Sequence, residues 1–259
     1  MDNDALRVRL GRSPLRRVVC QLRYPRELGF DASLARPFQK ALAPDYPHAT
    51  PERVVAGITL GPEGKPVDFD IKDVFRFQSE DGATTVQLAD EFVALETTAY
   101  AGFRDFGARW RGVLDAAVRA LDLRTQVRLG LRYTNAVEDA RIDDLAGWRG
   151  HVADWLLDAS AALATGEGGL AVAGEGSVLL RLPDGLCAFR HGFPRLGGVA
   201  DSPAPAYILD IDSYDERTLP IEAEAQLATL SDWNHRSVRL LRGAVTDALW
   251  ASFEPGPLP

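Results

Sequence analysis

Arginine and acidic side chains alternate with apolar residues in several short segments of this 259-residue chain. In RVVCQLRY and VRLGLRY the apolar residues occupy every second position, which is typical of a half-buried strand. The residues between them then project from the opposite side of the sheet, here called the outer face. The alternation predicts that this face carries more arginines than acids: Arg23, Arg76, Arg128, Arg132, Arg181 and Arg190, against Glu96, Asp210 and Asp212.

A rigid sheet that presents guanidinium groups is suited to bind a carboxylate, a phosphate or a peptide backbone through paired hydrogen bonds. Under this hypothesis the candidate binding residues are Arg23, Arg128, Arg132, Arg190, Asp210 and Asp212. The alternative is a solvated sheet face whose arginines and acids pair with one another across strands, at about 0.2–1 kcal/mol for each pair. Both interpretations stay open at the level of the sequence.

Two acids lie two residues apart on one predicted strand, Asp210 and Asp212. Neighbouring carboxylates can bind a hard divalent cation, but such a site needs further oxygen ligands that the sequence does not supply. Pairing with Arg128 or Arg132 is the simpler expectation. We therefore expect no metal site and no cofactor.

A second hypothesis is an enzyme or carrier that binds a small molecule between the last helix and the inner, apolar face of the sheet. His191 continues the apolar alternation of Cys187 and Phe189, and His235 lies in a polar stripe of the last helix. The residues expected near the mouth of such a pocket are His191, Tyr207, Trp233 and His235. The sequence assigns neither histidine a nucleophile or an orienting carboxylate, so the catalytic residues are unknown.

The motifs of the common enzyme classes are absent from the sequence: GxxxxGK[ST], GxSxG, HExxH and CxxC. The glycine-rich run GEGGLAVAGEG at 166–176 lacks the lysine of a phosphate loop and is interpreted as a turn with a hairpin strand. His48, in a proline-rich loop, and His151, in a helix, are expected at the surface. The sequence therefore favours a non-catalytic binding or interaction protein and leaves open whether any reaction is catalysed.

Composition and charge exclude other classes of protein. The chain is 46% hydrophobic and 25% charged, which is enough apolar material for a sizeable core and too much for disorder. The net charge of -8 argues against non-specific binding to nucleic acid or anionic lipid. Neither a secretion signal nor a membrane-spanning run is apparent, so we expect a cytoplasmic protein. Cys20 and Cys187 lie in apolar stretches and are expected to behave as small hydrophobes.

The first half of the chain is predicted to run strand, helix, several strands, helix. The first strand covers 17–24, and a helix capped by Asp31 ends at Pro44. The strands RVVAGITL, VFRFQSE, TTVQLAD and FVALETT follow, with a hairpin turn at Asp81-Gly82. Apolar residues spaced by three and four then predict a helix over 105–121.

The second half repeats this order. A strand is predicted over 127–133, a helix over 145–155 and a last helix over 220–253; between the two helices come the strands GLAVAGEG, SVLLRLP, LCAFRHGF and AYILDIDSY, with a turn at Asp184-Gly185. We predict a tandem duplication of a β-α-β(3–4)-α unit, covering 1–123 and 124–259 as one pseudo-symmetric structure. The expected fold class is α+β, an extended curved antiparallel sheet with long helices on one face. A homodimer through a sheet edge or the polar face is one way to cover exposed edges.

This element order resembles the TATA-binding-protein-like and helix-grip folds. The runs LRYxN (131–135), LDIDSY (209–214) and WxH (233–235) also resemble an uncharacterised, sporadically distributed family of bacterial proteins. The resemblance covers most of the chain. It implies a bacterial family without a catalytic signature, and no catalytic residue follows from it.

Overall fold

The computed structural model describes residues 8–60, 66–139, 141–142, 144–157, 173–193 and 206–257. Its strands are β1 (Val8–Leu10), β2 (Leu15–Arg23), β3 (His48–Leu60), β4 (Pro66–Gln78), β5 (Thr84–Leu88), β6 (Phe92–Thr97), β7 (Thr125–Gln126), β8 (Arg128–Glu138), β9 (Gly174–Leu182), β10 (Gly185–Phe193), β11 (Ala206–Asp215), β12 (Leu219–Pro220) and β13 (Pro255–Pro257). Its α-helices are α1 (Ala32–Leu42), α2 (Phe103–Leu121), α3 (Ala223–Ala244) and α4 (Asp247–Ser252). Two short 3-10 helices cover Ala146–Trp148 and Asp154–Leu156.

Nine strands form one sheet in the order β3-β4-β5-β6-β2-β8-β11-β10-β9. The hairpin partners β3-β4-β5-β6 and β9-β10-β11 pair antiparallel. The short strands form two separate antiparallel pairs, β1 with β13 and β7 with β12. The predicted α+β class with a large antiparallel sheet is confirmed. The two halves proposed as a duplication, and the boundary at residue 123, stay predictions.

The alternation along the strands has the predicted phase. The apolar residues predicted for the inner face of β2, with Tyr24 directly after it, are fully buried, and those of β8 and β11 are buried in the same way: Val18, Cys20 and Leu22; Leu129, Leu131 and Tyr133; Leu209 and Ile211. Val127, the first residue of the strand predicted over 127–133, is half-buried and lies in the bend between β7 and β8. The buried set defines the inner face, and the residues between them lie on the outer face.

Local signals place the first helix and both hairpin turns as predicted. Asp31 accepts hydrogen bonds from the backbone N–H groups of Ser33 and Leu34, which fixes the start of α1. The turn between β4 and β5 contains Gly82 at φ 69°, and β10 begins at Gly185 with φ 135°. Both backbone conformations favour glycine because a Cβ atom would be strained there.

Two helix predictions in the second half are wrong. The segment predicted as a helix over 145–155 forms two 3-10 helices instead, because Gly150 has φ 82° and cannot continue an α-helix. The last helix is interrupted between α3 and α4, where Thr246 is extended and its hydroxyl accepts the Leu249 N–H as a new N-cap. The apolar spacing continues across this break, which is why the sequence predicted a single helix.

Three smaller predictions concern two histidines and the glycine-rich run. His48 begins β3 and does not lie in a loop. His151 lies in a turn, with its ring edge-on to Trp148. Residues 169–172 of the predicted strand GLAVAGEG, and 166–172 of the glycine-rich run, lie outside the described residues. The prediction of GLAVAGEG and SVLLRLP as two strands is wrong where it can be compared, because Gly174 to Gly176 continue directly into SVLLRL as the single strand β9.

The chain divides into two compact units, each built from more than one segment. Unit 1 comprises 1–18, 131–214 and 229–259, and unit 2 comprises 19–130 and 215–228. In the core of unit 1, inner-face residues of β10 and β11 pack against residues within or beside the 3-10 helices, α3 and α4: Cys187, Phe189, Leu209 and Ile211 against Trp148, Val152, Leu241, Val245 and Phe253. In unit 2, α1 and α2 pack together, and Phe38 contacts Phe77 edge-on at 5.4 Å. No described helix combines the length and the apolar character that spanning a bilayer would require.

Truncating an inner-face side chain should destabilise the fold far more than truncating its outer-face neighbour. Leu22 is fully buried, so Leu22→Ala should lower the free energy of unfolding by about 2–5 kcal/mol. Gln21→Ala, one position away on the outer face, should lower it by about 1 kcal/mol or less. Guanidinium unfolding of both variants measures the difference, and equal losses would contradict the assignment of faces.

Candidate functional site

Two arginines of unit 1 converge on one buried carboxylate. Arg132 donates from Nε to Asp210 Oδ1 at 2.7 Å and from Nη2 to Oδ2 at 3.0 Å, and Arg190 donates from Nη1 to Oδ2 at 3.1 Å. Thr134 adds a longer hydroxyl contact to Oδ1 at 3.4 Å. We call Arg132, Arg190 and Asp210 the Asp210 cluster. The Arg132 pair is bidentate, the geometry that fixes both the position and the orientation of a guanidinium.

The order of strands explains the cluster. Strand β11 lies between β8 and β10, and Asp210 is the register partner of Arg190. The Asp210 side chain is only 6% exposed, whereas those of Arg132 and Arg190 are 44% and 47% exposed. The hydrogen bond to Asp210 raises the pKa of Arg132 above its ordinary value. The arginines therefore cover the carboxylate and still reach solvent.

A cavity of about 340 Å³ adjoins this cluster. Its lining residues come from three strands of unit 1: Glu175, Gly176, Ser177, Arg190, His191, Gly192 and Ile208. Ser177 is the register partner of Arg190, and both Glu175 and Ile208 are register partners of Gly192. These residues share the outer face with Arg190, so a guanidinium and a hydroxyl line the same cavity.

Unit 2 contains a second carboxylate with two cationic partners. Arg23 donates to Glu91 Oε1 at 2.5 Å, and Lys72 donates to the same oxygen at 2.6 Å. The hydrogen bond from Lys72 is the main reason that the pKa of Glu91 falls below its ordinary value. We call these three residues the Glu91 cluster. Here the lysine is the buried partner, with 10% of its side chain exposed, and Arg23 is 45% exposed.

Three more of the residues predicted for the outer face are partnered as well. Arg128 lies 3.4 Å from the Gln21 side-chain oxygen and 4.0 Å from Glu216. Arg76 pairs with Glu52 at 3.0 Å. In unit 1, Asp212 lies 4.0 Å from Arg190 Nη1. The predicted excess of arginine is therefore reduced by acids that the alternation did not place on this face, Glu52, Glu91 and Glu216.

Arginine nitrogens occupy both oxygens of Asp210. Across the part of the chain that the structure describes, no three His, Cys, Asp or Glu side chains are grouped as a metal site would require. In this structure Asp210 and Asp212 thus pair with arginine side chains of the same chain. Its geometry is that of a charge-assisted hydrogen-bond network.

Of the four residues predicted for a pocket, two are in contact. His191 Nδ1 and the Tyr207 hydroxyl share a hydrogen bond of 2.8 Å, and their rings stack. Burial lowers the pKa of His191 and raises that of Tyr207. A neutral imidazole beside a protonated phenol is the resulting state near neutral pH. Trp155 packs against the same imidazole and is 55% exposed.

The other two predicted pocket residues have separate surroundings. Trp233 is fully buried and donates from its indole nitrogen to Asp184 at 2.9 Å. Arg236 donates to the same carboxylate at 2.6 Å, so the Asp184 turn is tied to α3. His235 lies half-buried on α3. Neither Trp233 nor His235 lines the cavity beside Arg190, and the helix-grip pocket stays a prediction.

Sequence reasoning missed Lys72 and Glu91. The predicted strand began at Val74, but β4 begins at Pro66, and continuing the outer-face alternation from Arg76 through Val74 reaches Lys72. Glu91 lies between β5 and β6, where alternation does not apply and no local signal was available.

The comparisons with known proteins are negative: no family model, no curated protein and no solved structure matches this chain. The resemblance to a bacterial family therefore stays a prediction. Function must be argued from the geometry of the site itself.

Removing the carboxylate of the Asp210 cluster should cost stability. Asp210→Asn leaves two guanidinium groups side by side without their shared anion, and the free energy of unfolding should fall by about 1.5–3 kcal/mol. Asp73→Asn is the control, because Asp73 pairs with Arg53 at the exposed surface and should cost about 0–1 kcal/mol. Chemical denaturation of both variants checks this, and equal losses would show that burial of Asp210 is irrelevant.

The bare Cα of Gly176 accommodates the His191 ring, and a Cβ there would lie 2.3 Å from Nε2. Gly176→Ala should displace the imidazole toward solvent, so the pKa of His191 should rise toward its ordinary value. A lowered pKa means that the unfolded chain binds the proton first, so stability falls as the pH drops below about 6.5. That loss of stability should be smaller in Gly176→Ala.

NMR titration of His191 measures the change in pKa. Gly112→Ala is the control, because a Cβ there meets open space. An unchanged titration in Gly176→Ala would contradict the close contact between Gly176 and the His191 ring.

Proposed function

We propose that this protein is a non-catalytic binding protein that recognises an anionic group on the outer face of unit 1. The observation that carries the proposal is the Asp210 cluster, in which one buried carboxylate orients two guanidinium groups that remain nearly half exposed. A site that is already ordered loses less conformational entropy on binding than two free arginine side chains would.

Hydrogen-bond donors remain available in the cluster. Arg132 uses Nε and Nη2 and Arg190 uses Nη1 for Asp210, whereas each guanidinium has five N–H donors. Asp212 and Asp210 together balance the two positive charges, so the attraction of a ligand depends on directed hydrogen bonds and less on net charge. Planar donor pairs of this type fit carboxylate and phosphate oxygens.

The cavity beside Arg190 favours a small molecule as the ligand. Ser177 supplies a hydroxyl and Ile208 an apolar surface close to the guanidinium. A carboxylate or phosphate attached to a short aliphatic part would match these three groups. The Glu91 cluster, which repeats the combination of one acid and two cations, gives unit 2 a similar but separate polar surface.

The order of strands in the sheet is similar in the two halves of the chain. In each half of the chain the first strand, β2 or β8, lies next to the last strand of that half, β6 or β11, and the hairpins extend outward from there in reverse chain order. This correspondence supports the tandem duplication that we infer for the β-α-β(3–4)-α unit. The two halves differ in their first helix, which is α1 in the first half and two 3-10 helices in the second.

Anion binding can be tested with inorganic phosphate, acetate and citrate. Each is titrated into the full chain while the arginine Nε–H resonances are followed by NMR, and at least one should give a saturable shift at Arg132 and Arg190. Arg190→Gln should weaken that binding roughly tenfold or more, because a charge-assisted hydrogen bond contributes about 1.5–3 kcal/mol. Arg239→Gln, a change on the exposed face of α3, is the matched control. The absence of a saturable shift with all three anions would reject the proposal.

A further inference from the structure

Strand β9 is the last strand in the order of the nine-stranded sheet, and β10 is its only sheet partner within the described part of the chain. It is nine residues long, contains no proline, and exposes Val178 and Leu179 at 45% and 58%. Exposed apolar edge strands of this length are templates for pairing with another strand. Proteins normally protect such an edge with charge, with proline or with a covering partner.

The only charged residues of β9 are Glu175 and Arg181. Both are exposed on the outer face, and within the described residues neither has an ion-pair partner. They lie at equal distances on either side of Val178 along the strand. An antiparallel copy of the same strand, centred on Val178, would therefore place Glu175 of each chain opposite Arg181 of the other.

We propose that β9 pairs antiparallel with β9 of a second copy of this chain, around a two-fold axis that is perpendicular to the sheet and lies midway between the two Val178 residues. Two ion pairs then form across the interface, and opposite charges at directly facing positions stabilise antiparallel strands. Such an interface is isologous, so it closes as a dimer. No other register of the two strands places both charges directly opposite a partner.

The same register also matches side-chain sizes. Small residues fill the first half of β9 and leucines the second half, so each leucine of one copy faces a small residue of the other: Gly174 with Leu182, Gly176 with Leu180, and Ser177 with Leu179. Val178 faces its own counterpart across the axis. Charge and volume thus select one pairing independently.

The pairing would also complete the cavity beside Arg190. Glu175 lines that cavity and opposes an anionic ligand, and Arg181 of the second copy would neutralise it. The dimer does not depend on anion binding, because its charge pairs and its apolar contacts lie on β9 alone. Its failure and the failure of the proposed function are therefore separate results.

The test is the oligomeric state of the full chain, measured by sedimentation equilibrium. The unmodified protein should form a dimer, and Arg181→Glu, which faces Glu175 with a second acid at two positions, should raise the dimer dissociation constant by roughly tenfold or more. Glu175→Arg should have the same effect. Arg239→Glu makes the same change of charge on α3 and should leave the dissociation constant unchanged.

Mixing the two single variants tests directly whether residue 175 of one copy faces residue 181 of the other. A chain with Glu175→Arg and a chain with Arg181→Glu restore both ion pairs in a heterodimer, so an equimolar mixture should dimerise at concentrations at which each variant alone is mainly monomeric. The double variant with both substitutions should also dimerise by itself. Circular dichroism and melting temperature confirm that each variant is folded.

A monomeric unmodified protein, assemblies larger than a dimer, or variants that dimerise like the unmodified chain would each overturn the proposal. A mixture that stays monomeric would reject this register of pairing.

Discussion

Burial of the inner face of the sheet is the interaction on which the rest of this structure depends. Val18, Cys20 and Leu22 are fully removed from water, and each such residue fixes the direction of its two neighbours along the strand. A slip of one residue in β2 would bury Arg23 and expose Leu22. The positions of the outer-face arginines are therefore a consequence of apolar burial, and their chemistry is available because the core holds them there.

Asp210 shows what this constraint requires of a carboxylate. It lies on the outer face, but in β11, where side chains from both neighbouring strands cover it. A carboxylate removed from water is costly unless it is paired and hydrogen bonded. Arg132 and Arg190 meet that requirement from opposite sides. Arg53 and Asp73 form the same type of ion pair at the exposed surface. There the carboxylate does not depend on its partner in this way, because water solvates both side chains.

The helices illustrate a different balance. α1 begins where Asp31 caps it, because a local hydrogen bond determines that end. In the segment from Leu145 to Trp155 the apolar period indicated a helix, and Leu145, Trp148 and Val152 are indeed buried. Gly150 nevertheless turns the backbone to a positive φ, and two 3-10 helices deliver the same side chains to the core. The burial of these three residues was predictable, although the backbone that achieves it was not, and Trp155 of the same apolar period is 55% exposed.

The sequence by itself determined where most of the long strands lie, the phase of their alternation, both hairpin turns and the outer-face direction of Arg23, Arg132 and Arg190, because these follow from nearest-neighbour geometry. Only the tertiary structure decided which acid each arginine meets. Asp210 is 78 residues from Arg132, and Glu91 is 68 residues from Arg23. Contacts at such separations depend on the order of strands in the sheet, which alternation within a single strand does not encode. The break between α3 and α4 likewise depends on a tertiary contact, because the Thr246 hydroxyl donates a hydrogen bond to the distant Gly150 carbonyl.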